Sequence, residues 1–211
     1  MKKWMRLPIL ALMVFLLTGC GEETTADMTT IVIQKDGTIE HTIVEEFGEG
    51  SADMLQSMMQ EKVTAYNSSS SGEDVAVGSV EAEGDVVKVV MTYPDAEAFD
   101  GFMNMDVIAV DPALRAPFFY GTVEDAYMQG YELEIMLQSV GDEEILQGKN
   151  SLLAMGKNKI IIYDNEMNLG APVQISMQEE PLYISDNVTI AGKKVVEVSG
   201  ADKLAYILLE G

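Results

Sequence analysis

The sequence predicts an α+β domain, with an antiparallel or mixed β-sheet packed against one longer amphipathic helix and a few short helices. Three observations point there. Short runs rich in Val, Ile and Thr recur along the chain, and one long stretch carries an apolar stripe at helical spacing. The regular alternation of strands with helices of about 10–15 residues that marks a doubly wound sheet is missing.

Residues 30–34 and 38–44 are branched runs on either side of Lys35, Asp36 and Gly37, a strong hairpin signal. After Ser51, the residues Met54, Leu55, Met58, Met59, Val63 and Tyr66 recur at helical spacing, which predicts a helix of about four turns with one face on the sheet. The serines and Gly72 of segment 67–72 predict its end as a loop. Residues 75–83 and 86–93 then read as strands turned at Gly84 and Asp85, with Val87, Val89, Met91 and Tyr93 on one face.

Pro94 and Asp95 start a short helix through Phe99 and Phe102, and 105–110 reads as a strand ended by Asp111 and Pro112. Thr122 and Asp125 have capping-box spacing for a short helix stopped by Gly130. Segment 131–137 follows as a strand and 141–148 as a solvated acidic loop. Further strands are expected at 159–163, 173–177, 182–184, 188–190, 194–198 and 204–209.

The N-terminus has a different logic. Lys2, Lys3 and Arg6 precede an eleven-residue apolar run from Leu7 to Leu17, the layout of an export signal. A spanning helix needs about 20 apolar residues, so this run predicts export rather than a permanent span. Leu17, Thr18, Gly19 and Cys20 resemble the lipobox of bacterial lipoproteins. The resemblance implies cleavage before Cys20 and transfer of a diacylglycerol to its thiol. The chain thus divides into 1–19 as a lipoprotein signal peptide, 20–29 as a lipidated cysteine and short tether, and 30–211 as a single extracytoplasmic domain. The bilayer is its first expected partner, at the outer face of the cytoplasmic membrane of a Gram-positive bacterium.

Removing residues 1–19 takes away three of thirteen basic residues and none of thirty-five acids, so the net charge goes from −22 to −25. Phosphate backbones are bound by Lys and Arg, and nucleic acid is therefore not an expected partner. Cys20 is the only cysteine, which leaves the exported body without disulfides, thiolate metal sites or a cysteine nucleophile. His41 is the only histidine, on the strand face of Ile39 and Ile43, and reads as a partly buried or edge-strand residue. No Gly-x-Ser-x-Gly elbow is present. No catalytic residue, metal ligand or cofactor is assigned.

Two groups are candidates for a binding surface. Met54, Met58 and Met59 share a helical face that either fills an irregular core, the simpler reading, or forms an adaptable groove. Phe118, Phe119 and Tyr120 either anchor a loop by packing, again the simpler reading, or rim a ligand site.

Several stretches together resemble the small uncharacterised lipoproteins of anaerobic Gram-positive gut bacteria. They are the signal ending 17–20, the Lys35-Asp36-Gly37 hairpin, the helix ending Tyr66-Asn67, segment 122–126 with Gly130-Tyr131, and Ala205-Tyr206-Ile207. The resemblance implies class and location, with no assigned activity. The expected function is a noncatalytic binding or accessory module facing an envelope protein or a small solute. The alternatives are a solute-binding lipoprotein associated with a transporter and a carboxylate-based hydrolase.

Overall fold

The structure, a computed structural model, describes residues 28–46, 51–70, 74–142 and 144–211. The expected signal peptide, Cys20 and most of the tether lie outside the described residues.

The chain opens with the expected hairpin, β1 (Thr29–Ile33) and β2 (Ile39–Glu46), in a register that sets Ile31 opposite His41 and Ile33 opposite Ile39. Gly37 has φ +94°, a left-handed conformation that side chains other than glycine rarely adopt, and Asp36 Oδ1 accepts from the Thr38 amide and hydroxyl across the turn. Helix α1 (Ala52–Ser69) follows, with the Ser51 hydroxyl accepting from the Met54 amide as its N-cap. It runs on through residues expected to be loop. The hydroxyls of Thr64, Ser68 and Ser69 donate back to carbonyls of the preceding turn, and the last turn is closed by the Ser70 amide on the Tyr66 carbonyl.

β3 (Ala76–Glu83) and β4 (Val86–Tyr93) lead into α2 (Ala96–Val110). Here the structure corrects the sequence reading: 105–110 is the second half of a fifteen-residue helix, not a strand. A short apolar run has no period of its own to separate the two states, and what decides it is tertiary. Lys62 of α1 reaches Asp106 at 2.8 Å, and Asn104 holds the returning chain through two bonds to Ala116, both 2.9 Å.

After a 3₁₀ turn at Pro112–Leu114 come β5 (Phe118–Thr122), α3 (Val123–Met128) with the predicted Thr122–Asp125 capping box, and β6 (Met136–Ser139). The strand expected at 131–137 therefore starts only at Met136, and the acidic segment expected as a loop contains β7 (Ile145–Gln147). Helix α4 (Lys149–Ala154) had no sequence expectation. Then follow β8 (Lys159–Tyr163), a 3₁₀ turn at Asn165–Asn168, β9 (Val173–Ser176), β10 (Pro181–Ile184), β11 (Val188–Gly192), β12 (Val195–Val198) and β13 (Ala205–Leu209).

These strands build two sheets rather than one. The first runs β11-β12-β9-β1-β2-β4-β3 with β1 and β9 parallel, and the second is the antiparallel β5-β8-β13-β10-β6-β7. The fold is thus mixed α+β, as the sequence predicts.

A shared core joins the sheets. Ile31, Ile33, Ile39, Met91 and Tyr93 of the first meet Phe99 and Phe102 of α2 and Phe118, Ile161, Tyr163 and Ile207 of the second. The other face of the second sheet presents Phe119, Ile160, Ile162 and Leu208 to Val123 and Ala126 of α3 and Leu152 of α4. β8 is buried on both faces, so its run of isoleucines is continuous where β9 alternates.

Register also gives the first sheet two distinct ends. Thr29 opens β1 beside the close of β2, where its hydroxyl accepts from the Val44 amide, and Glu46 pairs with Val86 at the β3–β4 turn. This is named the tether end, after the segment expected to lead into it from Cys20. The opposite end carries the Gly37 turn and the close of β4, where Tyr93 pairs with Ile39.

Candidate functional site

A polar cleft of about 640 Å³ opens on the side of the Gly37 turn, away from the tether end. Asp95, Glu97 and Asp100 of the first turns of α2 form one wall, Phe118, Phe119 and Tyr120 of β5 another, and Arg115, Gln129 and Tyr131 close it. Its volume lies in the range of small-molecule sites.

Asp100 is the organising residue. It is buried, and its carboxylate accepts from Arg115 Nε at 3.1 Å, from Arg115 Nη2, from the Phe118 amide at 2.9 Å and from Asn104 Nδ2 at 3.4 Å. Four donors engage both carboxylate oxygens, so Asp100 is held in place and aims a guanidinium. Burial opposes the charge on Arg115, but the hydrogen bonds and charge of Asp100 outweigh it and raise the arginine's pKa. About 43% of the Arg115 side chain stays exposed. Five donors with two engaged leave three hydrogens, which can face the cleft.

A second network stands beside it. Lys159 donates to the Tyr120 hydroxyl at 2.6 Å and to Glu179 Oε1 at 3.0 Å, and its ammonium lies 4.8 Å from the centre of the Tyr120 ring. Burial is the largest cause raising the Tyr120 phenol, with the Lys159 bond working against it and the Glu179 charge adding to it. Tyr131 is raised chiefly by burial. Both phenols therefore stay protonated as neutral polar rims at neutral pH.

The cleft brings together Phe118, Phe119 and Tyr120 from the sequence candidates. The first two are 2% and 7% exposed, on opposite faces of β5, so packing is their main role and only the half-buried Tyr120 offers a polar group. The methionines go elsewhere. Met59 packs against the core with Leu55, Val63 and Tyr66, whereas Met54 and Met58 are 47% and 56% exposed, against the core-filling expectation. The reason is geometric: α1 covers the edge strand β3, and a single row of its side chains reaches the sheet.

Sequence reasoning missed Asn104 and Arg115, and it reads Asp95, Glu97 and Asp100 only as neighbouring acids on a solvated face, whereas Asp100 is buried. The available signal was two polar residues four apart, Asp100 and Asn104, on one side of a helix whose Phe99 and Phe102 are also buried.

His41 is buried rather than at an edge, between β1 and β4, with its ring 5.2 Å from Phe99 and 6.4 Å from Tyr93. Its Nδ1 has no hydrogen-bond partner among the described residues, and burial lowers its pKa to about 4. Among the described residues, no group of three or more His, Cys, Asp or Glu is placed to hold a metal ion, and no helix is long and apolar enough to cross a membrane.

Comparison of the chain with family models, curated proteins and solved structures finds no match.

Proposed function

We propose that this chain is a noncatalytic binding module, anchored outside the cytoplasmic membrane by lipid on Cys20, that holds a small carboxylate-bearing solute against Arg115. The observation that carries the binding role is the Arg115–Asp100 arrangement. A half-exposed guanidinium fixed from behind by a buried carboxylate is oriented before any ligand arrives, and orientation in advance lowers the ordering cost of binding. Asp95 and Glu97 in the same lining suit an ammonium group, which favours zwitterions such as amino acids and short peptides over simple anions. The same lining speaks against catalysis: the buried acid is held by donors on both oxygens, and His41 faces the core instead of the cleft.

The test is calorimetric titration of the mature lipoprotein with a panel of amino acids, dipeptides and neutral sugars, with Arg115→Lys alongside. Lysine keeps the charge and loses the planar fork. Binding of a carboxylate-bearing solute that weakens about tenfold or more in the variant supports the site. Binding that is equal in both proteins, or confined to the sugars, removes Arg115 from the reading.

A further inference from the structure

We infer that the tether end of the domain docks onto the lipid bilayer through Met54, Met58, Val110 and Leu169. The inference rests on the anchoring of Cys20 proposed above and adds which face meets the lipid.

Three stretches of chain deliver exposed apolar side chains to one end. α1 starts just after β2 closes at the tether end. Near the far end of α1, Asn67 exchanges two hydrogen bonds with Val75, next to the opening of β3 at the opposite end. Met54 and Met58 therefore sit on the tether side of the helix. α2 begins after Tyr93 at the opposite end and returns antiparallel to α1: Tyr66 lies against Gly101, and Lys62 pairs with Asp106 one turn further on. Continuing that register by another turn brings Val110, which is 84% exposed, level with Met58. Leu169 arrives independently, four residues before Val173, which pairs with Thr29 at the first residue of β1. It is 91% exposed and forms the left-handed cap, φ +52°, of the 3₁₀ turn at Asn165–Asn168.

What covers this end follows from the chain that enters it. Nine residues, 21–29, carry the chain from Cys20 to the first residue of β1, and at full extension they reach about 30 Å, so an anchored domain keeps its tether end within that distance of the lipid. A tether this short holds the patch at high effective concentration over the surface, where even weak apolar contacts suffice. The neighbouring acids Glu45, Glu46, Asp53 and Asp111 repel anionic headgroups, so the docked surface is one of low negative charge. Docking would also turn the Arg115 cleft away from the membrane.

Trp4, the sole tryptophan, leaves with the signal peptide, so an introduced tryptophan reports alone in the mature chain. Met58→Trp and Lys35→Trp, the latter in the turn at the opposite end, are to be reconstituted as full lipidated proteins in phosphatidylcholine vesicles containing doxyl-labelled phosphatidylcholine. The expected result is roughly twofold or stronger quenching at position 58 with little at 35, and release as phosphatidylglycerol replaces phosphatidylcholine. Equal quenching at both positions in a lipidated protein overturns the docking face and leaves the anchor standing. Lipid-free emission at position 58 that shifts with protein concentration assigns the patch to a second copy and overturns it too. A mature mass without diacylglycerol removes the anchor and the docking face together.

Discussion

Arg115 grips one carboxylate oxygen of Asp100 with both Nε and Nη2, while the other Asp100 oxygen takes the Phe118 amide. This joint ties α2 to the first residue of β5 and so to the second sheet. Asp100→Ala removes the anion that satisfies two backbone and side-chain partners and strands a guanidinium. The expected loss is about 3 kcal/mol, read from chemical denaturation, and Asp100→Asn should recover part of it by keeping an acceptor for the Phe118 amide. A loss below about 0.5 kcal/mol would mean the joint is not structural.

His41 gives the fold an acid-sensitive point. Its pKa is about 4 in the folded chain against about 6.5 for an ordinary histidine. The unfolded state therefore binds a proton that the folded state refuses between those values. The contribution is fully present above about pH 6.5, declines as pH falls, and is lost by about pH 4, a change of about 3 kcal/mol. His41→Leu should flatten this limb, so that the difference in stability between variant and wild type grows as pH falls from 7 to 4. A constant difference across that range would contradict the burial of a neutral imidazole.

Gly101 is required by contact rather than by backbone angle. A Cβ there would lie 2.7 Å from the Tyr66 hydroxyl, on a ring stacked edge-on against Phe102 at 5.5 Å. Gly101→Ala should cost about 1–3 kcal/mol, and Tyr66→Phe should relieve most of it by removing the oxygen. The double-mutant cycle measures this directly, and additive costs would rule out the contact.

The exposed and core-facing rows of α1 should separate cleanly. Met58→Gln is expected to change stability by less than about 0.5 kcal/mol, whereas Val63→Ala, at a position 3% exposed, should cost about 1–3 kcal/mol. Denaturation midpoints decide it, and equal costs would place Met58 in the core.

Local signals in the sequence carried most of the fold. The Gly37 and Gly84 turns, the Thr122–Asp125 capping box and the alternation in β9 each arise from a few adjacent residues, and each was readable. What was hidden depends on distant partners. The helical state of 105–110 is supported by Lys62 and Ala116, and the short β7 exists because Leu146 finds Leu137 across the β6 register. The cleft was legible only in pieces, as Phe118, Phe119 and Tyr120 and as the neighbouring acids Asp95, Glu97 and Asp100, with nothing local to join them. Its organising pair, Asp100 and Arg115, is separated by fifteen residues and meets only because Asn104 folds the chain back on itself at Ala116.

Location underlies both the binding role and the docking face, and intact mass spectrometry of the protein extracted from the membrane fraction tests it most directly. The expected species begins at Cys20 and carries the added mass of a diacylglycerol. A membrane-free species, or one that retains residues 1–19 with an unmodified Cys20, would contradict it.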